Sequence, residues 1–211
     1  MVRNLTTQNI ENIQIDEGVV YADYGETTER LLGPARGGGE FTVDNKIRNI
    51  EHDGARGAEV GLQVIEEQVA KLKVTILEMS QTNLILAIPG CVVEQDGSIT
   101  NGENGIISAA GYLKNVTMFA KLVNGKYKRI QLFSAMHEGA LALKAVAKSE
   151  GELSLEMSGH FDPTDTTALL WRIAEISDPD TAALEVTSVA GTASGDTLIT
   201  VTGKTPGNPM L

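Results

Sequence analysis

A period of two in the apolar side chains is the feature that most constrains the fold of this chain. In residues 152–161, Leu153, Leu155, Met157 and Phe161 alternate with polar side chains. Successive side chains of a β-strand point to opposite faces of a sheet, so this alternation predicts a strand with one buried face. We expect the four apolar side chains to share that face.

The same alternation occurs on both sides of a dipeptide that favours a turn. Asn124-Gly125 separates strand-like residues 112–123 from strand-like residues 126–133. Asn-Gly suits the positive φ angles of a two-residue type I′ turn, so it predicts a β-hairpin. The chain therefore centres on an antiparallel meander of long strands.

Further strands and loops follow from the positions of glycine, proline and aspartate, which favour turns. Residues 60–70 also fit helical spacing, through Leu62, Ile65 and Val69, so a helix is an alternative there. The predicted strands are residues 18–24, 41–49, 68–79 and 140–148, the last paired with 152–161, and the predicted loops are residues 26–40 and 52–57.

One short helix is predicted over residues 80–90. Ser80 suits the N-cap, and Pro89-Gly90 suits the end of a helix. Residues 91–108 contain two turn dipeptides and are expected to form a loop or a small hairpin. The predicted fold class is mainly β, a β-sandwich or barrel of long antiparallel strands with one short flanking α-helix.

Changes in composition divide the chain into three parts. Residues 1–16 are predicted to be a polar arm, and residues 17–176 are predicted to form one β domain. Residues 177–211 are rich in Thr, Ser, Gly and Val, with two short strand-like pieces at 184–189 and 197–201, and are predicted to be an appendage.

Charge and cysteine content exclude some classes of protein. The 28 acidic and 17 basic residues give a net charge of −11, which argues against a nucleic-acid-binding domain with a basic surface. Cys91 is the single cysteine, so no internal disulfide framework is expected, and Cys91 is predicted to be buried. The first residues lack the apolar segment of a signal peptide, and no apolar run is long enough to span a membrane.

No constellation in the sequence predicts catalysis, a cofactor site or a metal site. The glycine triplet at 37–39 is followed by Glu40 rather than the Lys-Ser/Thr of a phosphate-binding loop. The three histidines lie on different predicted elements, without the spacing of zinc ligands, and are expected to be satisfied surface or interface residues. Asp162 and Asp165 flank Pro163-Thr164, which favours a turn over an acid–base pair. We therefore expect no enzyme.

An ordered set of short stretches between residues 10 and 176 resembles one protein family. The stretches are 17–25 (EGVVYADYG), 36–38 (RGG), 53–57 (DGARG), 71–78 (KLKVTILE), 84–90 (LILAIPG), 126–139 (KYKRIQLFSAMHEG), 148–156 (KSEGELSLE) and 158–165 (SGHFDPTD). Together they resemble the tail tube, or major tail, proteins of siphophage-type bacteriophages with long non-contractile tails. That family is related to the tube proteins of contractile tails and of type VI secretion.

The resemblance implies a tail-tube fold and a structural role in a virion. In that family six subunits form a ring, and stacked rings form a hollow tube that conducts DNA to the host cell. The implied partners are further copies of the chain, together with tail tip or initiator, tape measure and tail terminator proteins. The implied location is the phage tail, assembled in the host cytoplasm. DNA would pass through the lumen without sequence-specific binding, in agreement with the acidic net charge.

The resemblance also implies where assembly contacts lie. In the family a long loop between early strands reaches the neighbouring ring, and here it would span about residues 31–57. Some relatives carry a C-terminal immunoglobulin-like domain, so residues 177–211 are expected to be part of such a domain or a flexible appendage. The expected assembly residues are Arg36, Gly37, Gly38, Arg48 and Arg56.

The alternative function is a β-sandwich module for binding or adhesion. Modules that bind ligands often present platforms of aromatic side chains. The four tyrosines, four phenylalanines and one tryptophan of this chain are instead scattered along the sequence. This distribution favours the structural role over the binding module.

Overall fold

The structure is a computed structural model that describes residues 10–15, 18–54, 56–102, 105–143, 150–165, 167–177 and 179. The fold class predicted from sequence is confirmed, because the described residues are mainly antiparallel strands with one short α-helix. The strands are β1 (Val19–Ala22), β2 (Arg30–Leu31), β3 (Ala35–Asn49), β4 (Gln63–Ile76), β5 (Val92–Val93), β6 (Ile99–Thr100), β7 (Leu113–Lys121), β8 (Tyr127–His137), β9 (Leu153–Ser158) and β10 (Trp171–Ile176), and the helix is α1 (Gln81–Leu86).

Eight strands form one antiparallel sheet. Their order is β2-β1-β7-β8-β9-β4-β3, and β10 pairs with β8. Strands β5 and β6 form a separate small hairpin, which agrees with the prediction for residues 91–108. The pairing path ends at β2 and at β3, so the described strands of this subunit do not close into a barrel. No helix in the described part of the chain is long and apolar enough to cross a membrane.

The predicted hairpin at Asn124-Gly125 is confirmed, but its turn type differs from the prediction. Strands β7 and β8 pair up to Lys121 and Tyr127. The Gly125 amide donates to the Leu122 carbonyl at 3.0 Å, and only Gly125 in this turn has a positive φ, of 82°. This is the type I turn followed by a left-handed glycine that closes three-residue hairpin loops.

Strand β8 changes partner along its length. Its first half pairs with β10, a strand that the sequence analysis missed, whereas Met136 and His137 pair with β9. Ser134 lies between the two halves with a φ of 46°, which is unusual for a residue with a side chain. The predicted pairing of 140–148 with 152–161 is wrong for residues 140–143, which form no strand, and residues 144–149 lie outside the described residues. The main partner of β9 is β4.

One hydrophobic core holds the folded sheet together. Strand β9 supplies three fully buried side chains, Leu153, Leu155 and Met157, as the alternation predicted. Phe161 does not join them and is 59% exposed, because β9 ends at Ser158. The other strands contribute Val20, Ala22, Ala70, Leu72, Val74, Ile76, Val116, Met118, Ile130 and Leu132.

Strands β3 and β4 form a long hairpin that extends beyond the strands predicted at 41–49 and 68–79. The loop prediction for 26–40 is wrong at Arg30–Leu31, which form β2, and from Ala35 onward, because the glycine triplet lies within β3. The strand prediction for 68–79 is confirmed, although β4 begins earlier, at Gln63, and the helical alternative for 60–70 is wrong. A strand of 14 or 15 residues is much longer than the usual length of about 5–6.

Helix α1 lies at the base of this hairpin, and its one buried side chain, Asn83, anchors it there. Asn83 is fully buried; its amide donates to the carbonyls of Leu32 and Glu78, and its carbonyl accepts from Arg30 at 2.7 Å. Leu32 precedes β3 and Glu78 follows β4, so Asn83 joins the two ends of the hairpin. Ser80 occupies the N-cap position but makes no side-chain cap hydrogen bond.

Candidate functional site

The β3–β4 hairpin carries most of the residues expected to take part in assembly. Arg36, Gly37, Gly38 and Arg48 lie on β3, and Arg56 lies in the connection to β4. Arg36 and Arg48 are separated by roughly 40 Å at the usual rise per strand residue. The structure therefore does not bring the five residues together in one subunit, and their role in assembly stays a prediction.

Arg36 is engaged by two carboxylates of its own chain. Its guanidinium donates to Glu150 at 2.8 Å and to Glu152 at 2.6 Å, and all three side chains are exposed. The hydrogen bonds to Glu150 and Glu152 raise the pKa of Arg36. Exposed ion pairs of this kind contribute little to stability because water screens them.

Gly37 and Gly38 form a bulge in β3. Three residues of β3, from 36 to 38, face the single residue Thr75 of β4 between the pairs Ala35–Ile76 and Gly39–Val74. Both glycines have left-handed φ angles, of 77° and 74°, and an added Cβ would meet nothing within 4 Å. The backbone angle, not a lack of space, therefore favours glycine at these two positions.

Gly39 has a different environment, which the sequence analysis missed. An added Cβ there would collide with the Met118 side chain of β7. The absence of a side chain at Gly39 leaves room for the Met118 side chain. No signal in the sequence alone separates Gly39 from its two neighbours.

The outer half of the hairpin extends away from the core. We call residues 44–69 the distal arm; none of its described residues is buried. The directly paired Ile47 and Ile65 are 55% and 57% exposed, and Arg48 pairs with Glu66 across the arm. Sequence alternation predicted strands here, but alternation alone does not reveal that a strand continues past its core.

Strand β3 also has a free edge. Among the described strands it pairs only with β4, so the backbone groups along its other side make no strand pairing. A free edge of this length is a template for pairing with another chain. The other end of the sheet, β2, has only two residues.

The three histidines lie apart, and no described group of three His, Cys, Asp or Glu residues could hold a metal ion. His52 contacts Glu59 at 3.0 Å, and His160 contacts the Ser134 carbonyl at 3.0 Å and Glu138 at 3.2 Å. His137 departs from the prediction of satisfied histidines. Its Nδ1 accepts from the Glu156 amide at 3.0 Å, but its buried Nε2 has no hydrogen-bond partner.

His137 lines a cavity of about 490 Å³ beside α1, in which most of the lining side chains are apolar. The walls come from the end of α1, the turn that follows it, residues 105–113 and the end of β8. None of the lining residues is Asp, Glu, Lys or Arg. Cys91 also lines the cavity and is partly exposed, so the prediction that it is buried is wrong. Burial lowers the pKa of His137, which favours the neutral imidazole.

Comparisons with known proteins give no family assignment. The sequence matches no family model and no curated protein. A solved structure of the "virion of native gene transfer agent (GTA) particle" contains a similar chain, with 8% identity, a TM-score of 0.41, and coverage of 69% of this chain and 92% of that one. The "tail of empty GTA particle computed with helical refinement, C6 symmetry" contains another, with 9% identity, a TM-score of 0.37, and coverage of 68% and 91%. Both TM-scores are too low to support a functional argument.

Proposed function

We propose that this chain is a structural subunit of a phage-type tail tube, in which copies form rings and stacked rings enclose a channel for DNA. The sequence resemblance to tail tube proteins supports the proposal. Further support comes from the distal arm and the free edge of β3, two features that have no partner within the described subunit.

The distal arm is the observation that carries the proposal. An isolated two-stranded ribbon is only marginally stable in water. This ribbon nevertheless exposes apolar side chains, namely Ile47, Ile50, Val60, Val64 and Ile65. Exposed apolar side chains grouped on one projection are typical of a surface that another molecule covers.

The edge of β3 supports the formation of rings. Pairing of this edge with a strand of the next copy would satisfy its backbone hydrogen bonds and remove the hazard of a long open edge. The same contact repeated around an axis closes a ring, and no copy then retains a free long edge. Under this proposal, Arg36, Gly37, Gly38, Arg48 and Arg56 lie on or next to the surfaces that meet.

The proposal places the protein in the tail of a virion, assembled in the host cytoplasm. Its partners are other copies of the chain, a tail tip or initiator complex, a tape measure protein and a tail terminator. The net charge of −11 agrees with a channel that DNA passes without binding, because carboxylates repel phosphates. The role is structural and involves no catalysis.

Negative-stain electron microscopy of the concentrated full chain tests the proposal. We expect hollow tubes of uniform bore, and image averaging would then give the symmetry of the ring. Single subunits at every concentration, with and without a tail initiator, would contradict the proposal.

A shortened arm tests the observation that carries the proposal. Asn49 and Gln63 are directly paired, so replacing residues 50–62 by Asn-Gly should close the hairpin without disturbing its base. We expect folded subunits that form no tubes. Circular dichroism and urea unfolding would verify the fold, and normal tubes from this variant would remove residues 50–62 from the assembly mechanism.

The cavity beside α1 favours a second candidate, a binding module. Its volume of about 490 Å³ and its mostly apolar walls suit a small ligand. Subunits that never assemble but are stabilised by small apolar ligands in a thermal-shift screen would favour this function over the tube.

A further inference from the structure

Two apolar side chains of the described residues are exposed far more than the others. Val60 and Ile106 are fully exposed, at 105% and 101%, whereas the next most exposed large apolar side chains reach 59%. Val60 lies at the tip of the distal arm, and Ile106 lies at the mouth of the cavity beside α1. Val60 therefore lies on a projection, and Ile106 borders a cavity.

The Val60 tip and the cavity beside α1 lie at opposite ends of the hairpin. Strand β4 runs from Gln63, near the tip, to Ile76 at the base, a distance of roughly 40 Å at the usual rise per residue. Helix α1 begins five residues after Ile76, and the turn that follows it forms a wall of the cavity. Val60 therefore cannot reach the cavity of its own subunit.

We propose that the cavity beside α1 receives the Val60 tip from a second copy of this chain. This inference rests on the proposed function and specifies its stacking contact. The Val60 tip of one copy enters the cavity of the next, so the contact is head-to-tail and each pair keeps one free tip and one free cavity. A contact of this type does not close on itself in a pair and continues from layer to layer.

Charge favours a second copy as the occupant. Copies of a chain with a net charge of −11 repel each other, so contact is easier where one of the two surfaces carries no carboxylate. The cavity lining contains no Asp, Glu, Lys or Arg. At the tip, Glu59 contacts His52 at 3.0 Å, and Arg56 lies in the same connection as Glu51 and Asp53. The hydrogen bond to Glu59 raises the pKa of His52 and so favours the neutralising imidazolium.

His137 adds no charge to the cavity lining, because burial lowers the pKa of its imidazole. It is only 2% exposed, and its Nδ1 accepts a hydrogen bond, so the proton of the neutral ring lies on Nε2. Nε2 is itself buried beside Gly139, so it is not open to the incoming tip.

The single native cysteine allows a direct test. Cys91 lines the cavity, so a Val60→Cys variant of the full chain carries one thiol at the tip and one in the cavity. Assembled protein is oxidised with copper–phenanthroline, which removes two electrons and two protons per disulfide. Non-reducing electrophoresis should show a ladder of dimers, trimers and longer chains, because each subunit offers both ends of the contact. Mass spectrometry should identify the peptide that links positions 60 and 91.

Two control variants make the result specific. Ile173→Cys places a thiol on the exposed face of β10 and should give at least about tenfold less of the linked peptide, because a disulfide needs close Cβ atoms. Adding Cys91→Ser to Val60→Cys should abolish the ladder. Normal tubes without a link between positions 60 and 91 would overturn this inference and leave the proposed function intact. Failure of the unsubstituted chain to assemble would overturn the proposed function and this inference together.

Discussion

The base and the distal arm of the β3–β4 hairpin share two strands and one alternating pattern but have opposite environments. At the base, Leu72 and Ile76 are fully buried against β9 and the folded sheet. In the distal arm, Ile47 and Ile65 form the same kind of cross-strand apolar pair and are more than half exposed. Burial is therefore set by what lies opposite the ribbon, because only the base faces another layer of the subunit.

This difference separates two roles for apolar side chains in one element. At the base they hold the subunit together, through burial that contributes about 25 cal/mol per Å² of apolar surface. In the arm they add little to the stability of the single subunit and are available to other molecules. Matched substitutions in the two regions test this division.

Truncation of one apolar side chain in each region should give the largest contrast. Leu72→Ala removes a fully buried side chain, and we expect it to lower the free energy of unfolding by about 2–5 kcal/mol. Ile65→Ala removes an exposed side chain, so the expected change is within about 0.5 kcal/mol. Urea unfolding of dissociated subunits measures both. A loss above about 2 kcal/mol for Ile65→Ala would show that the arm is part of the folding core.

A matched pair of asparagine substitutions should give the second largest contrast. Asn83→Ala leaves the buried carbonyls of Leu32 and Glu78 without their donor, and the expected cost is about 1–3 kcal/mol. Asn45→Ala removes an exposed hydrogen bond to Gln68 in the arm, where water replaces the lost partner and the cost stays within about 0.5 kcal/mol. Equal thermal midpoints for the two variants would contradict the assigned anchoring role of Asn83.

Two histidines at the ends of the molecule should respond to pH in opposite directions. Burial lowers the pKa of His137, so its contribution to stability is present above the unfolded pKa of about 6.5 and is lost as the pH falls. The Glu59 hydrogen bond raises the pKa of His52, so its contribution is present below about pH 6.5 and is lost as the pH rises.

Both histidine shifts can be measured in the same protein. NMR titration of the ring protons should give a lower pKa for His137 than for His52. His137→Leu should flatten the fall in stability below pH 6.5, whereas His52→Gln should leave it unchanged. The reverse order of the two pKa values would contradict the contrast between the buried His137 and the exposed His52.

The local structure was predictable wherever nearby residues decide it. The Asn124-Gly125 hairpin, α1 and the buried face of β9 follow from turn dipeptides, a stop signal and alternation, which act over a few residues. The errors occurred where distant residues decide the outcome. Residues 37–39 were predicted as loop because glycine disfavours strands, yet pairing with β4 places them in β3, where Gly39 leaves room for the Met118 side chain.

The candidate site was predictable only in part. The five residues expected to take part in assembly lie on or beside the hairpin that projects, but no sequence signal indicated Val60, Ile106 or the unpaired His137 as a related set. Exposure and unpaired donors are properties of the folded surface, so they cannot be read from residue type or spacing.

The sequence by itself determined that this chain forms long antiparallel strands with one short helix, because alternation, turn residues and helix-stop residues act locally. Tertiary structure decided that β9 pairs with β4, that β8 changes partner at Ser134 and that the β3–β4 hairpin continues past the core. These features depend on side chains far apart in the sequence. An alternating strand has two faces, and only packing against another layer determines which face, and how much of it, is removed from water.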